Sequence, residues 1–392
     1  MRSTKEKTAD CLIIGGGVIG LAVARELAEC GLQKVTVIER AALGAESSHA
    51  AAGMLAPQAE ADCADDFFRL ACAGRDLYPL FSERLREETG IDIELDPTGT
   101  LYVALTSADE EEIEHRFRWQ QTGGLAVEKM TAADALLFEP HLSPYVRSAL
   151  RFPNDTQVEP RRLVTALAAS AHARGVQLLV GSEVTSIIID NRRVCGVETA
   201  QEGPIFAGKV VIASGAWTSH LLRGTLESHN ALPPSVTPVR GQMLCFDARP
   251  PIIRHVVYSP RGYLVPRRDG RLLAGSTTEH VGFHKAVTGS GLHSITTHAA
   301  ELAPSIGRLP VVDSWAGLRP GTFDNYPLIG ESSAIENLYF ATGHYRNGIL
   351  LAPITAQLIT GMVTRGERSP LLKAFAPDRL SNTEVAQMLQ RT

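Results

Sequence analysis

Apolar positions along this chain alternate between short unbroken runs and longer stretches where they recur every three or four residues. The first forty residues hold both patterns. Cys11–Ile14 is an apolar run of strand length that stops at Gly15-Gly16-Gly17. Over residues 18–30, Ile19, Leu21, Val23 and Leu27 fall at helical spacing, closed by Gly31; residues 35–38 return to a β-branched strand that ends at Glu39. The same reading predicts helices over 65–89, 108–121, 160–174, 290–302 and 349–364. Strands are expected over 99–105, 176–180, 183–189, 194–199, 206–213, 239–246, 255–257, 263–266, 271–275, 311–317 and 338–341, with a turn at Asp190-Asn191 and a Pro-rich connector over 228–238. Strands and helices interleaved in this way give an α/β fold with α+β elements. The dense block of strands after the connector points to a second, sheet-based domain.

Composition narrows the class. The 392 residues, 44% apolar and 21% charged, suit one large or two intimate globular domains. A net charge of −5 leaves no basic footprint for nucleic acid, and the Arg267-Arg268 pair reads as solvated surface. The six cysteines, at 11, 30, 63, 72, 195 and 245, form no C-x-x-C and sit in apolar settings, which predicts buried free thiols in a reducing cytosol. Residues 1–8 are polar and do not read as a signal sequence. The apolar runs fall short of a membrane span, and the one at Ile349-Leu350-Leu351 meets Pro353. A cytoplasmic protein without membrane or nucleic-acid partners is expected.

Chemistry enters at the turns. Gly15, Gly17 and Gly20 stand at G-x-G-x-x-G spacing between a strand and a helix, and Glu39 closes the next strand. That order suits the ADP half of a dinucleotide: a tight turn at Gly15, close phosphate approach at Gly17, helix–strand packing at Gly20, and a ribose-binding acid. Residues 40–54 are rich in small side chains. Ser47 and Ser48 there are either the capped start of a helix or a second anion-binding turn. Gly343 to Gly348, ahead of a long helix, is either a plain strand–turn–helix corner or a helix pole aimed at an electron-rich group. Arg319 and Arg346 sit in turns rich in glycine and proline, a setting that suits bidentate carboxylate binding. Tyr263 either adds a hydroxyl or is a core tyrosine. No nucleophile elbow, H-E-x-x-H or P-loop is present, and His280, His284, His293 and His298 lack ligand spacing, so no metal is predicted.

Taken together, IIGGGVIGLAVARELAECG, SSHAAAGML, VRGQM, WAGLRPGT and GHYRNGILLAP resemble the D-amino-acid oxidase superfamily of flavoenzymes. Within it they are most similar to the glycine oxidases that serve thiamine biosynthesis, and the likeness runs from about residue 9 to residue 377. The resemblance implies FAD on a discontinuous Rossmann-type domain (8–90, 150–232 and 312–370) and a mixed-sheet substrate domain (91–149 and 233–311). Carried over by motif, Gly15, Gly17, Val18, Ile19, Gly20, Glu39 and Arg40 match the ADP end, and Val184 the adenine. Ser47, Ser48, Ala52, Gly53 and Met54 match the pyrophosphate and flavin stretch. Gly317, His344, Tyr345, Arg346, Asn347, Gly348, Ile349 and Leu350 match the flavin end. Arg319, Arg346 and Tyr263 match the groups at the substrate, with Met54 and Thr278 lining its pocket. The implied reaction is hydride transfer from the α-carbon of glycine, sarcosine or D-alanine to flavin N5, with O₂ reduced to hydrogen peroxide. A dehydrogenase of the same fold, passing electrons to a quinone or carrier, is the alternative. Arg261 and Thr278 depart from the family pattern. The segment RPGTFDNYP lacks the cysteine to which some relatives attach FAD, so the FAD is expected to be non-covalent. Such oxidases commonly form tetramers, which the resemblance extends to this chain.

Overall fold

The computed structural model describes residues 8–227 and 234–379. Residues 228–233 of the expected connector, and the polar start but for its last residue, lie outside the described residues. A six-stranded sheet runs in the order Leu328–Glu331, Leu338–Thr342, Val210–Ile212, Cys11–Ile14, Val35–Glu39 and Gln177–Val180. Every neighbouring pair is parallel except the first. Its four inner strands are covered on both faces, which is why they read as nearly unbroken apolar runs. Helices Val18–Glu29, Pro160–Ala173 and Gly348–Arg365, with the 66–89 region, cover one face. A four-stranded sheet of Thr8–Ala9, Gly203–Ala207, Arg193–Thr199 and Val184–Asp190 lies over the other.

The second large sheet has eight strands: Val311–Gly321, Thr237–Asp247, Arg271–Gly275, Gly262–Pro266, Val256–Ser259, Thr100–Ala104, Ser148–Phe152 and Glu128–Thr131. Helix Gly289–Leu302 packs on one face of it. Met243, Tyr263 and Trp315, from its strands, meet Ala52 and Met54 in a separate small core. Residue 312, where the cofactor-binding part was expected to resume, falls inside a strand of this sheet.

Several elements differ from the sequence reading, each for a local reason. The single helix expected over 65–89 is two, Asp66–Asp76 and Tyr78–Thr89, because Pro79 has no N–H to carry the ladder across and instead sits in the first turn of the second helix. The strand expected over 206–213 is split between two sheets at Gly208-Lys209, a break that an unbroken apolar pattern does not reveal. The strand from Val311 continues to Gly321, so Arg319 stands on a strand and not in a turn. Pro320 is tolerated because this strand is the sheet's edge, paired only with Thr237–Asp247. Pro353 lies inside the helix Gly348–Arg365, and the carbonyl of Ile349, which a residue at 353 would otherwise bond, accepts instead from the buried Tyr78 hydroxyl. That helix is long and apolar enough to cross a membrane but is 72% buried here as a core helix. Arg267 is not surface: it is 8% exposed and donates to the Val158 carbonyl at 2.9 Å, to Gln157 at 3.0 Å and to the Ala52 carbonyl, fastening the turn that carries Gly53. All six cysteines are free, but only Cys11 and Cys245 are buried; Cys30 and Cys63 are exposed.

Candidate active site

Two adjoining cavities share Gly17, Ser47, Ser48, Ala213 and Gly215 in their walls and form one elongated space between the six- and eight-stranded sheets. Its first end is built on the Gly15–Glu39 unit. Gly15 has φ 113°, and a Cβ on Gly20 would stand 1.9 Å from the Gly15 carbonyl oxygen, so turn and helix meet only as glycines. The Glu39 carboxylate accepts from the Gly16 N–H at 2.8 Å and the Ala41 N–H at 2.9 Å. It is thereby fixed at the cavity wall with lone pairs to spare. Ser48 Oγ accepts from the Val18 N–H at 3.0 Å, so Ser48 faces the first helix terminus from a short helix of its own, Ser47–Ala50, which neither serine caps. Arg40, Val184 and Trp217 stand on the same wall, with the Arg40 guanidinium 4.0 Å from the Trp217 ring centre.

At the second end, the turn after Leu338–Thr342 is held by positive φ at Gly343 (72°) and Tyr345 (47°) and by Tyr345 N–H donating to the Pro320 carbonyl at 3.0 Å. Two helices, Val18–Glu29 and Gly348–Arg365, therefore open their N-terminal turns onto one cavity. The His344 ring is turned into the core, 3.0 Å from Thr355 Oγ1. Burial drops its pKa from 6.5 to about 3, so it stays neutral.

The two arginines differ. Arg319 donates to the Thr277 carbonyl at 3.0 Å and to Ser276 Oγ at 2.8 Å. Gly241, on the paired strand, makes room for it: a Cβ there would lie 2.2 Å from the guanidinium carbon. Among the described residues no carboxylate lies within 4.0 Å of Arg319, and burial pulls its pKa down. Arg346 lies 3.6 Å from Glu60 and 3.4 Å from the Tyr258 hydroxyl, and Glu60 is the main cause of its raised pKa. Tyr263 donates to Met243 Sδ at 3.2 Å, with its ring stacked 6.2 Å from that of Tyr258.

Most of the residues expected at the site stand on these walls: Gly15, Gly17, Val18, Ile19, Glu39, Arg40, Ser47, Ser48, Ala52, Gly53, Met54, Val184, Tyr263, Gly317, Arg319 and 344–349. Three do not. Gly20 acts by packing, Leu350 is 1% exposed in the core, and Thr278 is exposed off the cavity, where its neighbour Thr277 faces Arg319 instead. Arg261 pairs outward with Asp109 and Glu301. Glu60, Gly241, Met243, Trp217 and Phe283 line the space without having been singled out. Only Gly241 carried a signal, as the glycine of VRGQM in the middle of a strand.

A family model described as FAD dependent oxidoreductase, DAO, matches residues 10–362. The chain belongs to the DAO family. Among DAO relatives, the glycine oxidase of Geobacillus kaustophilus is 36% identical over 94% of this chain and 97% of its own length. A bifunctional ThiO/ThiG protein of Synechocystis sp. is 38% identical over 96% of this chain, which spans 55% of that longer protein. The crystal structure of the Geobacillus kaustophilus glycine oxidase superposes with a TM-score of 0.91 over 96% of this chain and 100% of that one. The DAO cofactor, FAD, fits the residues present. The space is long, two helix poles face it, and Gly317 keeps its wall open: a Cβ there would stand 2.5 Å from Ala50 Cβ.

Proposed function

We propose that the protein oxidises glycine and other small primary or secondary amines, sarcosine and D-alanine among them, to the imine and then the 2-oxo acid and ammonia (methylamine from sarcosine), with O₂ reduced to hydrogen peroxide, in thiamine thiazole biosynthesis. The observation that carries the reading is Arg319, a half-buried guanidinium at the cavity wall with no counter-ion among the described residues. A charge drawn partly out of water without a partner is costly, and an α-carboxylate of the substrate supplies that partner in bidentate geometry. Arg346 cannot play the same part equally, because Glu60 already neutralises it.

Within this reading Arg319, with Tyr263, holds the carboxylate, and Met54 and Met243 narrow the space around the α-carbon. Positioning is the main contribution. FAD bound along this space would supply the two-electron acceptor for the substrate's hydride and the donor to O₂. The N-terminal turn of Gly348–Arg365 would favour negative charge at the flavin end, and Glu39 with the Gly15–Gly17 turn would hold the ADP end. None of the six cysteines lines either cavity, which supports non-covalent FAD. The cofactor part comprises residues 8–90, 150–232 and, past the strand Val311–Gly321, the chain to 370, and the substrate part the remainder, in a cytoplasmic homotetramer; sedimentation measures that assembly.

Anaerobic mixing of the yellow protein with glycine, sarcosine, D-alanine and D-proline tests the proposal. Bleaching by the small amines, then recovery of colour with peroxide on admitting air, is expected. No bleaching by any of them would sink it, and bleaching without recovery in air would point to the dehydrogenase.

A further inference from the structure

Residues 276–288 join the strand Arg271–Gly275 to the helix Gly289–Leu302, both elements of the eight-stranded half. The segment does not stay there. Its first residues, Ser276 and Thr277, hold the Arg319 guanidinium. Its middle is fastened to Arg240: the Arg240 N–H donates to the Glu279 carbonyl at 2.9 Å, and the Glu279 N–H donates back at 3.0 Å. The Arg240 guanidinium pairs with the Glu279 carboxylate and donates to the His284 carbonyl at 3.2 Å. Burial pushes the Glu279 carboxyl up, but bonds from Arg240, Thr277 and Gln242 outweigh it and leave its pKa at about 2.

Beyond this anchor the segment crosses to the other half. Lys285 Nζ stands 2.7 Å from Glu46 on the turn that leads into Ser47. The Phe283 ring lies 5.6 Å from Trp217 and 6.5 Å from His220, on the wall of the cavity that also carries Glu39 and Val184. Phe283 remains 47% exposed, so core burial does not account for its place. A large apolar ring held by a charged anchor at the mouth of an open cavity offers a flat face to a flat aromatic base.

We propose that residues 279–285 form a clasp on the adenosine half of FAD. Phe283 gives the outer aromatic face, the Lys285–Glu46 pair latches the segment to the opposite half, and release of FAD requires the clasp to open. The inference rests on the assignment of the Glu39 end to the ADP half of the cofactor.

The test is the rate at which FAD leaves diluted holoenzyme, followed by the rise in free-flavin fluorescence. Phe283→Ala is expected to speed release about tenfold, the loss of one stacking face. Phe283→Tyr, which keeps the ring, should release FAD within twofold of the parent. Lys285→Ala should speed release about threefold, as an exposed ion pair allows. A rate for Phe283→Ala within twofold of the parent, or a Phe283→Tyr as leaky as Phe283→Ala, overturns the clasp. Val184→Trp, which crowds the same end from the other wall, separates the two claims. If it releases FAD fast while Phe283→Ala does not, the clasp fails and the ADP assignment stands. If neither variant changes the rate, the assignment fails with it.

Discussion

The Glu39 end of the cavity is centred on one local unit, strand, turn, helix and strand in chain order, and residues 14–48 supply about half of its wall, the rest coming from segments near 183, 214, 220 and 283; the Arg319 end has no such unit and draws on segments near residues 53, 60, 241, 263, 277, 319 and 346. The two ends also differ electrostatically. Glu39 is already met by two backbone N–H groups, so its carboxylate is hydrogen-bonded before any ligand arrives. Arg319 has only a carbonyl and a hydroxyl beside it. The protein thus completes its cofactor anchor by itself and leaves its substrate anchor incomplete, an arrangement in which binding energy is released only when a carboxylate arrives.

Removing the incomplete anchor should have the largest effect. Arg319→Ala is expected to lower kcat/KM for glycine by about two to three orders of magnitude, the worth of two charge-assisted hydrogen bonds, chiefly through KM and with the flavin still bound. A KM within threefold of the parent's breaks the contrast between the two ends.

The second prediction concerns His344, behind the wall at the Arg319 end. Its folded pKa, about 3, lies below its ordinary 6.5. The unfolded chain therefore takes up the proton first, and stability is lost as pH falls from about 6.5 toward 3. At pH 5 the loss attributable to this residue is about 2 kcal/mol, and His344→Gln should flatten that part of the stability–pH profile in denaturant titrations. A profile of unchanged slope would place the ring in a wetter setting than the structure shows.

Glu39→Ala probes the hydrogen-bonded end. It should weaken FAD about tenfold, because two amides as well as a ribose lose their acceptor, while KM for glycine at saturating FAD stays put. Equal changes in both would mean that the ends are not separable. Glu60→Gln gives the smallest effect. Freed of its partner, Arg346 becomes a second anion site, so kcat/KM for iminodiacetate relative to glycine should rise severalfold. An unchanged ratio would show that Glu60 does not govern charge in the cavity.

The same contrast explains what was legible in the sequence. The Gly15–Glu39 unit encodes its strands and helix in local periodicity and its tight turn in glycine spacing, and these elements appear in the structure at the expected residues. Arg319 stood out by its Gly- and Pro-rich setting and Tyr263 as a possible hydroxyl, but that the two meet at one cavity was reachable only through resemblance, since nothing in a strand's alternation says what faces it across a cavity. Glu60 lies in an unremarkable four-residue helix, and its importance arises from Arg346, nearly three hundred residues away in sequence. Arg267 misled because an Arg-Arg pair normally marks surface; its partners at Ala52, Gln157 and Val158 are all distant in the chain. The misread at 206–213 has the same root, for the apolar pattern runs on while the chain passes from one sheet to the next. Position in the fold, not residue type, decides these cases.

The most direct test of the incomplete anchor uses a carboxylate that cannot be oxidised. Titrating the oxidised yellow protein with acetate should perturb the flavin absorption with a saturable Kd; Arg319→Ala should abolish the response and Arg346→Ala retain it. Acetate binding to Arg319→Ala as tightly as to the parent would contradict the account.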